Sequence, residues 1–121
     1  MNNKIVLPHD HGTDLKELLE KRPDDGNFAE VSGTFSLISD ATRLKILWLL
    51  CHCEDCVANI AAAVEMSSPA VSHHLRLLKQ SGLITSRKDG KEVYYTLADN
   101  EASTLVHKVV DDAFNMDCFK K

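Results

Sequence analysis

The sequence predicts a mainly α-helical domain with a two-stranded β-hairpin, and three observations support this. Apolar residues recur at helical spacing through most of the 121-residue chain, two β-favouring runs flank the pair Asp89–Gly90, and the length suits a single core. We therefore expect one folded domain over residues 14–121. Residues 1–13 show no such periodicity, and we expect them to form a flexible arm.

Six helices are predicted from the apolar spacing and from residues that favour helix ends. Asp40 and Asp55 each precede an apolar run and are expected to be N-caps, whereas Ser68–Pro69 combines an N-cap with proline at the first helical position. Gly82 suits the end of the helix that begins there. The predicted helices span residues 15–22, 28–38, 41–50, 56–65, 69–81 and 100–116.

The two β-favouring runs cover residues 83–88 and 91–97, directly after the fifth helix. Asp-Gly pairs favour tight turns, so we expect the runs to pair as a hairpin. Two short helices joined by a tight turn and followed by a hairpin form the layout of a winged helix-turn-helix domain, which binds DNA through its second helix. The fifth helix is therefore the one expected to enter the major groove.

The distribution of charge agrees with this layout. The chain has a net charge of −4, but residues 67–98 contain five basic and two acidic side chains. A local basic surface can bind phosphates on an acidic protein, because exposed charges more than about 10 Å away are largely screened at ~0.1 M salt. The residues expected to contact bases or the DNA backbone are Ser68, Ser72, His73 and Arg76 on the helix and Arg87, Lys88 and Lys91 on the hairpin.

Three segments carry a family resemblance: ATRLKIL at residues 41–47, SPAVSHHLRLL at 68–78 and GKEVYYTL at 90–97. In this order and spacing they resemble the ArsR–SmtB family of bacterial metal-responsive repressors. The resemblance implies a homodimer that binds double-stranded operator DNA at an inverted repeat and represses an efflux or sequestration operon until an inducer binds. It implies a transcription regulator rather than an enzyme, with no organic cofactor.

A cluster of cysteines before the fourth helix is the candidate inducer site. Cys53 and Cys56 supply two thiolates that can chelate one soft metal ion, but a tetrahedral site needs about four ligands. His9 and His11 of the arm can supply the others, and we expect the arm to come from the partner subunit. The resemblance supports this, since related sensors pair an N-terminal arm with a Cys-Val motif at this helix. The expected inducer is a thiophilic divalent ion of the Zn, Cd or Pb class.

Two alternatives stay open for the inducer. Other family members bind metal between C-terminal helices, and although the corresponding pattern lacks both histidines here, a second candidate set consists of Asp99, Glu101, His107 and Asp112. A thiol oxidant or a reactive sulfur species would instead act on Cys53, Cys56 and Cys118, and would not need the arm. A thioredoxin-like enzyme is excluded, because the CxxC motif follows no βαβ pattern.

The last predicted helix carries a stripe of apolar residues: Leu105, Val106, Val109 and Val110. A stripe of this size is difficult for so small a chain to cover, so we expect it to form a homodimer interface. No apolar run approaches the roughly 18 residues that a membrane span needs, and the N-terminus carries no export signal. The sequence therefore predicts a cytoplasmic protein with no membrane partner.

Overall fold

The computed structural model describes residues 5–12 and 14–116. Within them it contains α1, α2, α3, β1, α4, α5, β2, β3 and α6 in chain order. The helices span Leu15–Glu20, Asp25–Ile38, Ala41–His52, Val57–Val64, Ser68–Gln80 and Glu101–Ala113, and the strands span Asp55–Cys56, Ile84–Asp89 and Glu92–Leu97. In this part of the chain no helix combines the length and the apolar character that a membrane span requires.

Side-chain caps determine where the helices begin. The Asp40 carboxylate accepts the Arg43 amide at 3.0 Å, which confirms the predicted start of α3. The start of α5 lies one residue earlier than predicted, because Ser67 is the cap and accepts the Ala70 amide at 3.2 Å. Ser68 is therefore an exposed residue of the first turn of α5 rather than its N-cap.

A tight left-handed turn joins α4 to α5. Glu65 ends α4 with a φ of 59°, and its amide bonds back to a carbonyl of the last turn. Because the connection is so short, α5 packs directly against α4 and α3 through Val71, Leu75 and Leu78, all of which are buried. Helical spacing then leaves the opposite face of α5 in solvent, and the predicted helix-turn-helix is confirmed.

Strands β2 and β3 form the predicted hairpin, but its two-residue loop is Gly90–Lys91, one residue later than the predicted turn at Asp89–Gly90, because Asp89 still pairs with Glu92. Gly90 has a φ of 65°, which glycine adopts without strain. The sheet also has a third strand that was not predicted: β1 pairs antiparallel with β3 and places Cys56 opposite Tyr94. The predicted two-stranded sheet is therefore three-stranded, and the segment that precedes α4 is attached to the hairpin.

A single buried cluster forms the core between the helices and the hairpin. Its fully buried members include Ile46, Leu47, Leu50, Ile60, Val71, Leu75, Leu78, Leu83, Ile84, Val106 and Val110. The interface predicted on α6 is wrong in part, because Val106 and Val110 pack into this chain's own core and cannot reach a partner. Leu105 remains exposed and Val109 is half-buried, so only the flank of α6 is available for dimerisation.

Helix α2 exposes further apolar side chains that the sequence did not single out as an interface. Phe28, Val31 and Phe35 are each about half exposed, and their spacing places them on one side of α2. Phe114, just after α6, is also about half exposed. Contiguous exposed apolar surface of this kind is typical of a protein-protein interface.

Candidate functional site

The outer face of α5 presents polar side chains to solvent. His73 and Arg76 are exposed and Ser72 is half-buried. Arg76 forms no ion pair with any residue of 5–12 or 14–116, so its guanidinium is available to an external acceptor. An arginine on a helix of this kind can bind both acceptor atoms of a guanine edge in the major groove.

Two cations project from the hairpin beside α5. Lys88 and Lys91 are exposed and form no ion pair within the part of the chain that the structure describes. The Lys79 ammonium of α5 donates a hydrogen bond of 2.7 Å to the Ser86 hydroxyl of β2, which fixes the hairpin against the helix. The helix and the hairpin therefore form one continuous surface, and their exposed basic side chains can contact the same DNA duplex.

Arg87, the third cation predicted to contact DNA from the hairpin, is already paired within the protein. Its Nε lies 3.0 Å from both carboxylate oxygens of Glu54, its Nη2 lies 2.8 Å from Oε1, and its guanidinium stacks over the Tyr94 ring. The hydrogen bond from Arg87 lowers the pKa of Glu54. The ion pair therefore joins the hairpin to the segment that carries the cysteines.

The cysteine segment, residues 53–56, connects α3 to α4. Cys53 follows the end of α3 and is exposed, whereas Cys56 is largely buried. The predicted capping role of Asp55 is wrong: Cys56 is the N-cap residue, and the Asp55 carboxylate accepts the Cys56 amide and the Asn59 side chain, each at 2.8 Å. Because β1 pairs with β3, this segment is attached directly to the hairpin.

The surroundings of Cys53 keep its thiol protonated. Burial raises the pKa of Cys53 above its usual value, and the negative charge of Asp55 raises it further. Hydrogen bonds from the Cys56 amide and the Asn59 side chain lower the pKa of Asp55, so this charge is present at neutral pH. Cys53 and Cys56 are free thiols, and a metal ion that binds Cys53 must displace a proton.

The arm holds its two histidines together. The rings of His9 and His11 stack with their centroids 5.6 Å apart and their planes 9° apart, and both residues are exposed. The Gly12 amide donates a hydrogen bond of 2.9 Å to the Asp10 carboxylate, and Gly12 has a φ of 63°. The turn therefore brings the two imidazoles side by side.

Among the described residues, one group of three potential metal ligands has all its ligand atoms within 4.8 Å of one another: His52, His107 and Asp111. Cys53, Cys56, His9 and His11 form no such group within one chain, so the predicted site needs the arm of a second subunit. Cys118 lies outside the described residues. Asp99, Glu101 and Asp112 of the second candidate set are exposed and do not join His107.

Comparisons with known proteins agree with the fold and with a role in DNA binding. The family model of bacterial regulatory proteins of the arsR family matches residues 40–86. Over 94 residues the chain is 43% identical to a Staphylococcus aureus homologue of the cadmium resistance regulatory protein CadC, covering 77% of this chain and 74% of the relative. A Synechocystis homologue of the transcriptional repressor SmtB is 43% identical over 77 residues, covering 64% of this chain and 58% of the relative, so this chain spans little more than half of that protein.

One similar solved structure is a homodimer. The homodimeric winged helix-turn-helix DNA-binding domain of a possible ArsR-family regulator from Mycobacterium bovis superposes with a TM-score of 0.62 at 27% identity. The superposition covers 90% of this chain and 94% of that one.

Proposed function

Since the chain belongs to the arsR family of bacterial regulatory proteins, we propose that it is a homodimeric repressor that releases its operator when a thiophilic metal ion binds at the cysteine segment. It is a DNA-binding transcription regulator and not an enzyme. The ion belongs to the Zn, Cd or Pb class, and Cys53 and Cys56 hold it together with His9 and His11 of the partner's arm.

The observation that carries DNA binding is the joint surface of α5 and the hairpin. Arg76 and His73 face solvent on α5, and Lys88 and Lys91 face solvent on the adjoining hairpin. Base-edge contacts from the helix and phosphate contacts from the hairpin together provide sequence preference and positioning. This surface is basic although the net charge of the whole chain is negative.

Two features favour a metal ion over an oxidant as the inducer. The raised pKa of Cys53 slows its reaction with an oxidant, which needs the thiolate to be present beforehand, whereas a metal ion displaces the thiol proton as it binds. The stacked pair His9 and His11 adds nothing to a disulfide switch but supplies borderline nitrogen donors to a metal site. The relative from Staphylococcus aureus is a cadmium resistance regulator, which agrees with a thiophilic ion.

The proposed function is tested by operator release from the reduced protein against a panel of metal ions. The operator is the duplex that the wild-type dimer selects from a random pool. We expect Zn²⁺, Cd²⁺ or Pb²⁺ to release it at free concentrations at which Mg²⁺ has no effect, because thiolates prefer soft ions. Release by an oxidant in the presence of a chelator, with no release by any of the three ions, would contradict the proposal.

The apolar stripe of α2 and the flank of α6 are the proposed dimer interface. Phe35→Asp is expected to convert dimers to monomers at micromolar concentration, because a charge would be buried without a partner. Ala29→Asp is the matched control, since Ala29 is exposed on the same helix but outside that stripe. Analytical sedimentation measures the oligomeric state of both variants. A dimeric Phe35→Asp variant would show that the interface lies elsewhere.

The apparent metal affinity is expected to rise with pH between 7 and 8.5, because the ion displaces thiol protons as it binds. Each thiol proton that the ion displaces contributes about a tenfold gain in affinity per pH unit below the thiol pKa. Since the pKa of Cys53 is raised, its proton is displaced throughout this range. Cys53→Ser should therefore reduce the slope by about one unit, whereas Cys51→Ser should leave it unchanged. Competition with a chelator measures the slope, and equal slopes would show that Cys53 is not a ligand.

A further inference from the structure

A group of polar residues lies where the end of α3 meets α6. The His52 Nδ1 lies 2.7 Å from the Trp48 carbonyl oxygen, and its Nε2 lies 2.9 Å from Oδ1 of Asp111. His107, one turn before Asp111 on α6, places its Nε2 3.3 Å from Oδ2 of the same carboxylate. The two imidazole rings meet edge to face with their centroids 5.5 Å apart. Three potential ligands from two helices therefore converge on one point.

The contact between His52 and Trp48 determines which nitrogen of His52 carries a proton. A carbonyl oxygen only accepts hydrogen bonds, so the proton lies on Nδ1. In the neutral imidazole the Nε2 then has a lone pair, and this lone pair faces a carboxylate oxygen at 2.9 Å. Two acceptors at this distance repel each other unless positive charge lies between them. A proton or a metal ion must therefore lie between the two atoms.

Burial adds to this requirement. Asp111 is only 2% exposed, and the side chains of His52 and His107 are 21% and 19% exposed. A buried carboxylate is unfavourable unless opposite charge compensates it. A divalent ion supplies opposite charge and binds neutral imidazoles through their lone pairs. The hydrogen bond from Nδ1 to a carbonyl is also the outer contact that orients metal-binding histidines.

We propose that His52, His107 and Asp111 form a second metal site, for a borderline divalent ion such as Zn²⁺ or Co²⁺. Imidazole and carboxylate are ligands of this class, and three protein ligands leave a fourth position for water. Bonds of about 2.0–2.2 Å place the ligand atoms of a tetrahedral site roughly 3.4 Å apart. In the structure His52 lies 2.9 Å from Oδ1 of Asp111 and His107 lies 3.3 Å from Oδ2, and one ligand atom from each of the three residues lies within 4.8 Å of the others.

This site differs from the cysteine site in three ways. All its protein ligands come from one chain, its donors are nitrogen and oxygen, and it joins α3 to α6 rather than the arm to the cysteine segment. It does not rest on the proposed function, because ion binding here needs neither DNA nor a second subunit. A bound ion would fasten the helix that precedes the helix-turn-helix to the helix that flanks the dimer interface.

The test is a Co²⁺ titration of the full reduced chain in which Cys53 and Cys56 are both replaced by serine. We expect one Co²⁺ per chain, with ligand-field absorption but no thiolate charge-transfer band. Zn²⁺ should also shift the imidazole ring resonances of His52 and His107. In the same background His107→Gln should lower the Co²⁺ affinity at least about tenfold, whereas His73→Gln, an exposed histidine of α5, should not change it.

His107 is the residue of choice because its side chain is partly exposed, so the variant should fold, and circular dichroism checks this. Absence of Co²⁺ binding in the serine double variant would overturn the proposal and assign the cation to a proton. Equal affinity in the His107→Gln and His73→Gln variants would overturn it as well, because the ion would then lie elsewhere. Neither result bears on the cysteine site, which is tested separately by metal-dependent operator release from the wild-type chain.

Discussion

Replacing Arg76 with alanine is expected to abolish tight operator binding without unfolding the protein. The side chain is exposed on the outer face of α5 and forms no ion pair with any residue in the described ranges, so its loss removes nothing from the core. A bidentate contact between arginine and a base contributes about 1–3 kcal/mol of discrimination. Because a dimer has two such residues, the operator affinity should fall by roughly 30-fold to 10⁴-fold.

Fluorescence anisotropy at constant salt measures this loss, and circular dichroism checks the fold. Lys88→Ala is the comparison, because Lys88 is an exposed cation of the hairpin expected to contact the DNA backbone. It should weaken binding to all duplexes alike and lower the salt slope by about one unit. Wild-type affinity in Arg76→Ala, or a loss of sequence preference in Lys88→Ala, would show that the contacts are assigned wrongly.

The second large effect concerns the response to metal. Cys56→Ser should leave the operator affinity of the metal-free protein near the wild-type value, because serine is also a favoured N-cap and preserves the start of α4. It should remove metal-induced release, since the thiolate is needed only in the metal-bound state. Coupling of this kind typically amounts to about 1–3 kcal/mol, so the wild-type affinity should fall roughly 5-fold to 150-fold with metal while that of the variant stays constant.

Reciprocity provides an independent check of the same coupling. Operator DNA must lower the metal affinity of the wild type by the factor by which metal lowers its operator affinity. Joint replacement of His9 and His11 should weaken metal binding and leave DNA binding intact, because neither histidine belongs to the proposed DNA-binding surface of α5 and the hairpin. If Cys56→Ser still releases the operator at the wild-type concentration of free metal, the sensing site lies elsewhere. His107 and the other candidates near α6 then become the next to test.

The helices and strands that the sequence predicted correctly are defined by residues at or near their own ends. Asp40 supplies its own cap hydrogen bond, and Gly90 allows the tight turn, so each signal acts within a few residues of the element that it defines. Strand β1 was missed because two residues are too short to show periodicity. It exists only because Tyr94 and Tyr95, nearly forty residues later, offer a free strand edge.

The sequence could predict the candidate sites only where their residues do not depend on contacts with residues far away in the sequence. Apolar spacing correctly indicated that α6 is amphipathic, but it could not tell whether Val106 and Val110 face this chain's core or a partner, since both are apolar surroundings. The contact between His52 and Asp111 spans 59 positions, and the pair Glu54 and Arg87 spans 33. No pattern of spacing encodes contacts between such distant positions; they follow from the packing of the whole fold.

In the ion pair between Glu54 and Arg87, the Glu54 carboxylate competes with DNA phosphates for the Arg87 guanidinium. The Glu54 carboxylate occupies the position at the guanidinium that a phosphate would take, so a duplex can use Arg87 only by displacing it. A duplex that fits α5 poorly cannot hold the hairpin close enough to make this exchange and gains nothing from Arg87. We therefore expect the pair to lower the affinity for random DNA more than the affinity for the operator, so that Arg87 contributes to sequence preference although it contacts only phosphate.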